Sequence, residues 1–190
     1  MIHFIIIERM VLFHANAHIF QNDFNSVTSV VFNKYPNPYA NHVLSVDTID
    51  RKVDENGNLL TTRLIRKKGK LPKWIEYIVG SRITESWMIE FTMVDPKKKI
   101  MKSFNRNIDH VRLLQVEEYT TYQYDEIPKH TVVNSKVKFT SGFHVGIRSK
   151  IEKMSLSRFE SGVEKSRLGM ALVMKRVEEQ RKRTSLQDII

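Results

Sequence analysis

Val43–Ile65 reads VLSVDTIDRKVDENGNLLTTRLI. Two runs, Val43–Val53 and Leu59–Ile65, flank Glu55-Asn56-Gly57-Asn58. Asn-Gly tolerates the positive φ angles that a tight hairpin needs, so the stretch predicts two antiparallel strands. Downstream, Ile83–Val94 alternates, with Ile83, Glu85, Trp87, Ile89, Phe91 and Met93 on one face. After the charged turn Asp95-Pro96-Lys97-Lys98-Lys99, the runs Ile100–Arg106, Val111–Tyr124 and Thr131–Thr140 supply three more strands. The acidic turn Asp125-Glu126-Ile127-Pro128 separates the last two. Strands that follow one another through short turns make an antiparallel sheet. Upstream, Val11–Phe20 reads as a strand, and Asp23 can cap a helix carrying Phe24, Val27, Val30, Val31 and Phe32. Pro36 and Pro38 end that helix, because proline cannot donate and restricts the residue before it.

From about Gly142 the period changes. Ile147, Ile151, Phe159, Val163, Met170, Val173 and Val177 recur at helical spacing. They predict one long amphipathic helix, to about Arg183, covering one face of the sheet, with a flexible tail over 184–190. The fold class is therefore α+β. Within the helix, Ile151, Ser155, Gly162, Ser166 and Gly169 share a narrow stripe, with Arg158 and Lys165 at its margin. Small residues facing a sheet leave room that two cations can reach into. Close helix–sheet packing with the cations snorkelling at the rim fits the same stripe.

The chain has 190 residues, 41% hydrophobic and 27% charged, which suits one folded domain. Its formal charge of +10 calls for an anionic partner: nucleic acid, a membrane surface or an acidic protein. With no cysteine, a disulfide framework, a thiolate metal site and a cysteine nucleophile are excluded. Ile5–Ala17 superficially imitates a signal peptide, but Glu8 and Arg9 break the apolar run and no basic residue precedes it. Residues 1–9 are read as an extension ahead of a domain spanning 10–183, with Met10 as an alternative start.

Catalytic signatures are missing from the sequence: it has no P-loop, dinucleotide glycine pattern, G-x-S-x-G elbow or H-E-x-x-H. On a strand, His14 and His18 share a face but stand too far apart to hold one metal ion. Glu117 and Glu118 are adjacent, so on a strand they point to opposite faces and make no carboxylate pair. The reading is of a non-enzyme without metal or cofactor. Nucleic acid has charge alone in its favour, since no RNA-binding motif surrounds Tyr119, Tyr122 and Tyr124.

One stretch concentrates the chemistry. Thr61–Ile75, TTRLIRKKGKLPKWI, bunches Arg66, Lys67, Lys68 and Lys70 about Gly69, then adds Leu71, Pro72, Lys73 and Trp74. Cations on a glycine-containing turn can aim several donors at one phosphate. An apolar wedge with a Trp suits a water–lipid boundary. A solvated basic turn before an ordinary helix start is the competing reading.

Phe32-Asn33-Lys34-Tyr35-Pro36-Asn37-Pro38-Tyr39, His42–Thr48, Gly69–Trp74, Asn107–His110, Val116–Thr120 and Lys165–Met170 resemble motifs of the PRELI (MSF1) domain family. The resemblance runs from Met10 to about Glu179. It implies an antiparallel sheet curled round a long C-terminal helix on its concave face, enclosing a lipid cavity. It implies a lipid-transfer protein of the mitochondrial intermembrane space, peripheral to the inner and outer membranes. The chain is most similar to the branch of the family that carries phosphatidic acid towards cardiolipin synthesis. The resemblance also implies a small helical twin-CX9C partner. Carried over by position, the headgroup site is Lys34, Lys67, Lys70 and Lys165, with Arg158 nearby, and the lid and membrane contact is Leu71, Pro72 and Trp74. Lys34 stands where the family usually has Arg, which turns a bidentate fork into a point charge. Gly162 stands where Asn is common. A phosphatidylserine carrier of the same family, or a basic adaptor that extracts no lipid, are the alternatives.

Overall fold

The computed structural model describes residues 10–69, 72–79, 84–142 and 145–187. In chain order the elements are β1 (Met10–Phe20), α1 (Phe24–Asn33), β2 (Val43–Val53), β3 (Leu59–Lys68), α2 (Lys73–Val79), β4 (Glu85–Asp95), β5 (Ile100–Asn107), β6 (Leu114–Asp125), β7 (His130–Ser141) and α3 (Arg148–Gln187). Short 3-10 turns at Pro38–Ala40 and Val145–Ile147 precede β2 and α3.

All seven strands form one antiparallel sheet in the order β1-β7-β6-β5-β4-β3-β2. The hairpin closes as the Asn-Gly pair predicts, with Gly57 at φ 84°. Asp54 secures it by accepting from the Asn56 and Asn58 backbone N–H groups at 2.9 and 2.8 Å. The first strand does not join the hairpin. It crosses to the far edge and pairs with the last, Phe20 opposite Thr131 and Met10 opposite Ser141.

Asp23 caps α1, its Oδ1 accepting from Ser26 N at 2.9 Å. Phe24, Val27, Val30 and Val31 are buried against Phe20, Met101, Tyr122 and Val133 of the sheet and Met170, Val173 and Met174 of α3. Each such side chain removed from water is worth about 1.5–3 kcal/mol, which makes this layer the main source of cohesion.

The helical stripe packs at its ends. Ile151, Ser155 and Gly169 are buried, whereas Gly162 and Ser166 stay exposed, and a Cβ on Gly162 would meet nothing within 4 Å. At Gly169 the helix closes on the loop after α1, where an added Cβ would lie 2.9 Å from Asn37 Oδ1. Towards the sheet edge, Phe159 stacks on His14 with ring centroids 5.8 Å apart, and Arg167 donates to Asn16 and to the Ala17 carbonyl.

Two expectations need correction, and the face of β4 is settled. β3 runs to Lys68, so Arg66 and Lys67 lie on a strand and point to opposite faces instead of sharing a turn. The helix begins after a 3-10 turn and continues to Gln187, so the tail predicted from Thr184 is helical there. The apolar face of β4, Trp87, Ile89, Phe91 and Met93, is the outer one: the inward residues are Met88, Glu90, Thr92 and Val94, and Glu90 is 1% exposed. Ile83, Lys70, Leu71 and residues 1–9 lie outside the described residues.

Candidate anion-binding site

A row of the inward face runs across the sheet through His14, Val137, Glu118, Asn105, Glu90 and Arg63. Its charged end is an ion pair. Arg63 and Glu90 are opposite one another on β3 and β4, 3% and 1% exposed, and Arg63 donates to Glu90 Oε1 through both Nε, at 2.6 Å, and Nη2. The same guanidinium donates to the Phe32 carbonyl at 3.1 Å and the Val31 carbonyl at 3.4 Å. It thereby satisfies the free acceptors at the end of α1 and fixes that helix end over the sheet. Taking both charges from water costs several kcal/mol each, so only this density of hydrogen bonding makes the pair tolerable.

Lys34 is the C-cap of α1 and is carried into the same region, half-buried. Its ammonium lies 5.2 Å from the centroid of the Tyr35 ring. Burial pulls its pKa down, but the electrostatic pull of Tyr35, Glu90 and Tyr122 outweighs that and holds it above the ordinary lysine value. Burial in turn pushes the Tyr122 phenol up to about 12, against the pull of Lys34. Lys34 forms no salt bridge with any carboxylate among the described residues, because Glu90 is already committed to Arg63.

Asn37 holds Lys34 in place. Its Nδ2 donates to the Lys34 carbonyl at 2.5 Å, its Oδ1 accepts from Tyr39 N at 2.9 Å, and Gly169 of α3 closes on it from the other side.

A second group of cations lies towards the end of β3. Lys67 points inward on the strand, while Arg66 points outward, its guanidinium 5.8 Å from the Trp87 ring. Burial, then the charges of Lys67 and Lys165, hold the His42 imidazole below the ordinary histidine value. His42 thus feels the charges of both lysines. Arg158 lies two helical turns before Lys165 on α3, and burial lowers its guanidinium. Lys70 and Leu71 fall outside the described residues.

The remaining residues expected to form a lid, Pro72 and Trp74, belong to an excursion pinched at its base. Gly69 N donates to the Thr84 carbonyl at 2.8 Å, and Lys68 N to the His42 carbonyl at 2.7 Å. Pro72 starts α2 by accepting from Ile75 N and Glu76 N at 2.9 and 3.1 Å. Ile75 is fully buried, Trp74 is half-buried and Tyr77 is 91% exposed. The helix thus rests on the interior through Ile75, a contact absent from the sequence expectation.

Sequence reasoning gave no site role to Arg63, Glu90, His42 or Asn37, although Asn37 and His42 lie in the family motifs. A usable signal existed for one pair: Arg63 and Glu90 interrupt the inward faces of Thr61–Ile65 and Met88–Thr92 with opposite charges.

Fold and site together define an α+β domain in which one long helix lies over a curled antiparallel sheet, with Lys34 and the inward-facing Lys67 near the end of α1 and the end of β3. The profile of the PRELI-like family matches residues 25–180. The chain is 52% identical to Protein UPS1, mitochondrial, of Saccharomyces cerevisiae over 172 residues, covering 90% of this chain and 98% of that one. It is 28% identical to human PRELI domain-containing protein 1, mitochondrial, over 170 residues, covering 89% and 78%. Among solved structures, TTHA0849 of Thermus thermophilus shares the fold with a TM-score of 0.53 and 11% identity, covering 85% and 99%. The chain belongs to the PRELI-like family.

Proposed function

We propose that this protein is a mitochondrial lipid-transfer protein that carries phosphatidic acid from the outer to the inner membrane through the intermembrane space. The observation that carries the reading is Lys34, a cation on the inner side of the fold whose nearest buried carboxylate is taken by Arg63. The ammonium is held in its charged form and makes no salt bridge among the described residues, so it is open to a phosphate monoester. The family and the mitochondrial names of its relatives support the compartment.

In this reading the phosphate meets Lys34, Lys67, Lys70 and Lys165, with Arg158 and His42 beside them. The acyl chains occupy the space left by Gly162 and Ser166 between helix and sheet. The excursion closed by Gly69 and Thr84 opens as a lid, with Leu71, Pro72 and Trp74 against the bilayer. Basic residues bring the molecule to an anionic leaflet, each worth about 1 kcal/mol near the surface. No bond is made or broken, so the protein is a carrier and not an enzyme. A small helical twin-CX9C protein binds it as a heterodimeric partner.

The test is transfer of labelled phosphatidic acid between donor and acceptor liposomes, with phosphatidylserine and phosphatidylcholine as controls. Transfer of phosphatidic acid alone supports the assignment. Transfer of phosphatidylserine moves the protein to another cargo. Liposome binding without transfer of any lipid makes it an adaptor. Lys67→Glu should abolish extraction in a folded protein; normal extraction removes Lys67 from the site. Trp74→Ala should slow transfer while headgroup selectivity persists, and the opposite pattern contradicts the lid.

A further inference from the structure

The turn between β5 and β6 lies at the same end of the sheet as the lid, since Lys68 pairs with Glu85 and Met88 with Asn107. Its backbone is tied down on every side. Ile108 N donates to the Trp87 carbonyl at 3.0 Å, and Asp109 accepts from Ser86 Oγ at 2.8 Å and Trp87 N at 2.9 Å. Asn107 Nδ2 donates to the Asp109 and Leu114 carbonyls at 2.7 and 3.0 Å, and Gly142 N donates to the Leu113 carbonyl at 3.2 Å. A Cβ on Gly142 would lie 2.2 Å from the Arg112 carbonyl oxygen, so β7 is pressed directly against the turn. Yet this rigid turn displays Ile108, 45% exposed, with His110 and Arg112 also exposed.

The surroundings are basic and carry an indole. Trp87 is half-buried next to Ile108, with the Arg66 guanidinium against its ring. Lys68 and Lys73 are exposed at the same end. Of the acids there, Asp109 is spent on the turn itself, Glu85 faces Lys68 across the strands, and Glu76 lies on α2. An isoleucine and an indole ringed by cations match the polarity profile of an anionic bilayer surface, where Trp favours the boundary and Lys and Arg meet phosphates.

We propose that this turn is a fixed membrane foot. Ile108 and Trp87 enter the interfacial layer of an anionic bilayer, while Arg66 and Arg112 contact its phosphates. The inference rests on the lipid-carrier reading and adds a second contact, separate from the headgroup site.

The test uses the full chain and phosphatidylcholine vesicles with or without phosphatidylglycerol, an anionic lipid distinct from the proposed cargo. Flotation measures binding, and calorimetry with dispersed short-chain phosphatidic acid measures headgroup capture without a membrane. Ile108→Asp and Arg112→Glu, both on exposed side chains, should each weaken vesicle binding about tenfold or more and leave short-chain capture unchanged. In Trp74→Phe, Trp87 is the remaining indole of the two in the chain, and brominated lipid should quench it. If the unaltered protein binds neither vesicles nor phosphatidic acid, the carrier reading falls and the foot with it. If it binds both, but the two variants bind vesicles equally well and Trp87 escapes quenching, the foot is overturned and the carrier reading stands.

Discussion

Arg63 does two jobs with one planar group, neutralising Glu90 and closing the end of α1. Removing either partner leaves an uncompensated buried charge. Glu90→Gln or Arg63→Met should each cost about 3–5 kcal/mol in urea unfolding. The double variant should recover only part of that, because the Phe32 and Val31 carbonyls stay unsatisfied. At His42 the sign of the pH effect follows from its depressed value. The unfolded chain takes up a proton near the ordinary histidine pKa while the folded one resists. This group therefore costs no stability above that range, and the cost grows as pH falls towards the folded value. Lys67→Gln removes one of the two charges responsible, so the His42 resonances should titrate at higher pH than in the unaltered protein. Residue-scale legibility was uneven. Lys34 and Lys67 sit in local motifs, so the sequence can offer them as candidates. Glu90 is not, since alternation makes Trp87, Ile89, Phe91 and Met93 look like the buried face of β4. The inner face instead spends its burial on an ion pair and hydroxyls, and the apolar face is turned out.

Elements were the most legible scale wherever one local rule decides them. The Asn-Gly hairpin, the Asp23 cap and the proline stop all appear where turn and cap chemistry puts them. Burial raises the Asp23 carboxyl, but hydrogen bonds from Ser26 and Asn25 outweigh it and hold the group below the ordinary aspartate value. Asp23→Ala should cost about 1 kcal/mol at neutral pH. The stabilisation needs the carboxylate, so it is present above the unfolded value and lost as pH falls through the folded one, and the two proteins should converge in acid. Gly169 tests how α3 is seated. Alanine normally favours a helix, but here its Cβ would press on the Asn37 amide, which is held by Lys34 and Tyr39. Gly169→Ala should lower stability by about 1–3 kcal/mol and weaken anion binding through Lys34, both readable in a thermal melt with and without ligand. The run of cations after Ile65 misled at this scale. Composition suggested a turn, yet pairing with β4 carries the strand through Lys68 and separates Arg66 from Lys67.

For the whole molecule, the curled antiparallel sheet and its covering helix follow from the change of hydrophobic period near Gly142. The place of β1 does not. Nothing local in Val11–Phe20 marks its partner as Thr131–Thr140, because side-chain alternation fixes a strand's faces but not its neighbour. The core has the same long reach, joining Val27 and Val30 near the start to Met170 and Met174 near the end. Truncation after Ser141 should therefore abolish cooperative unfolding and produce binding of a hydrophobic dye, as the apolar side of α1 loses its cover. The strand order also sets a timetable. Among the described residues β1 is the first strand made, and it borders only β7, the last. A chain delivered with its N-terminus leading holds an unpaired apolar strand and an uncovered α1 until nearly all of it has arrived. Throughout that interval it stays loose enough to be threaded through a narrow channel and exposed enough to be cut by proteases, so its survival in transit depends on how quickly the last strand and helix follow.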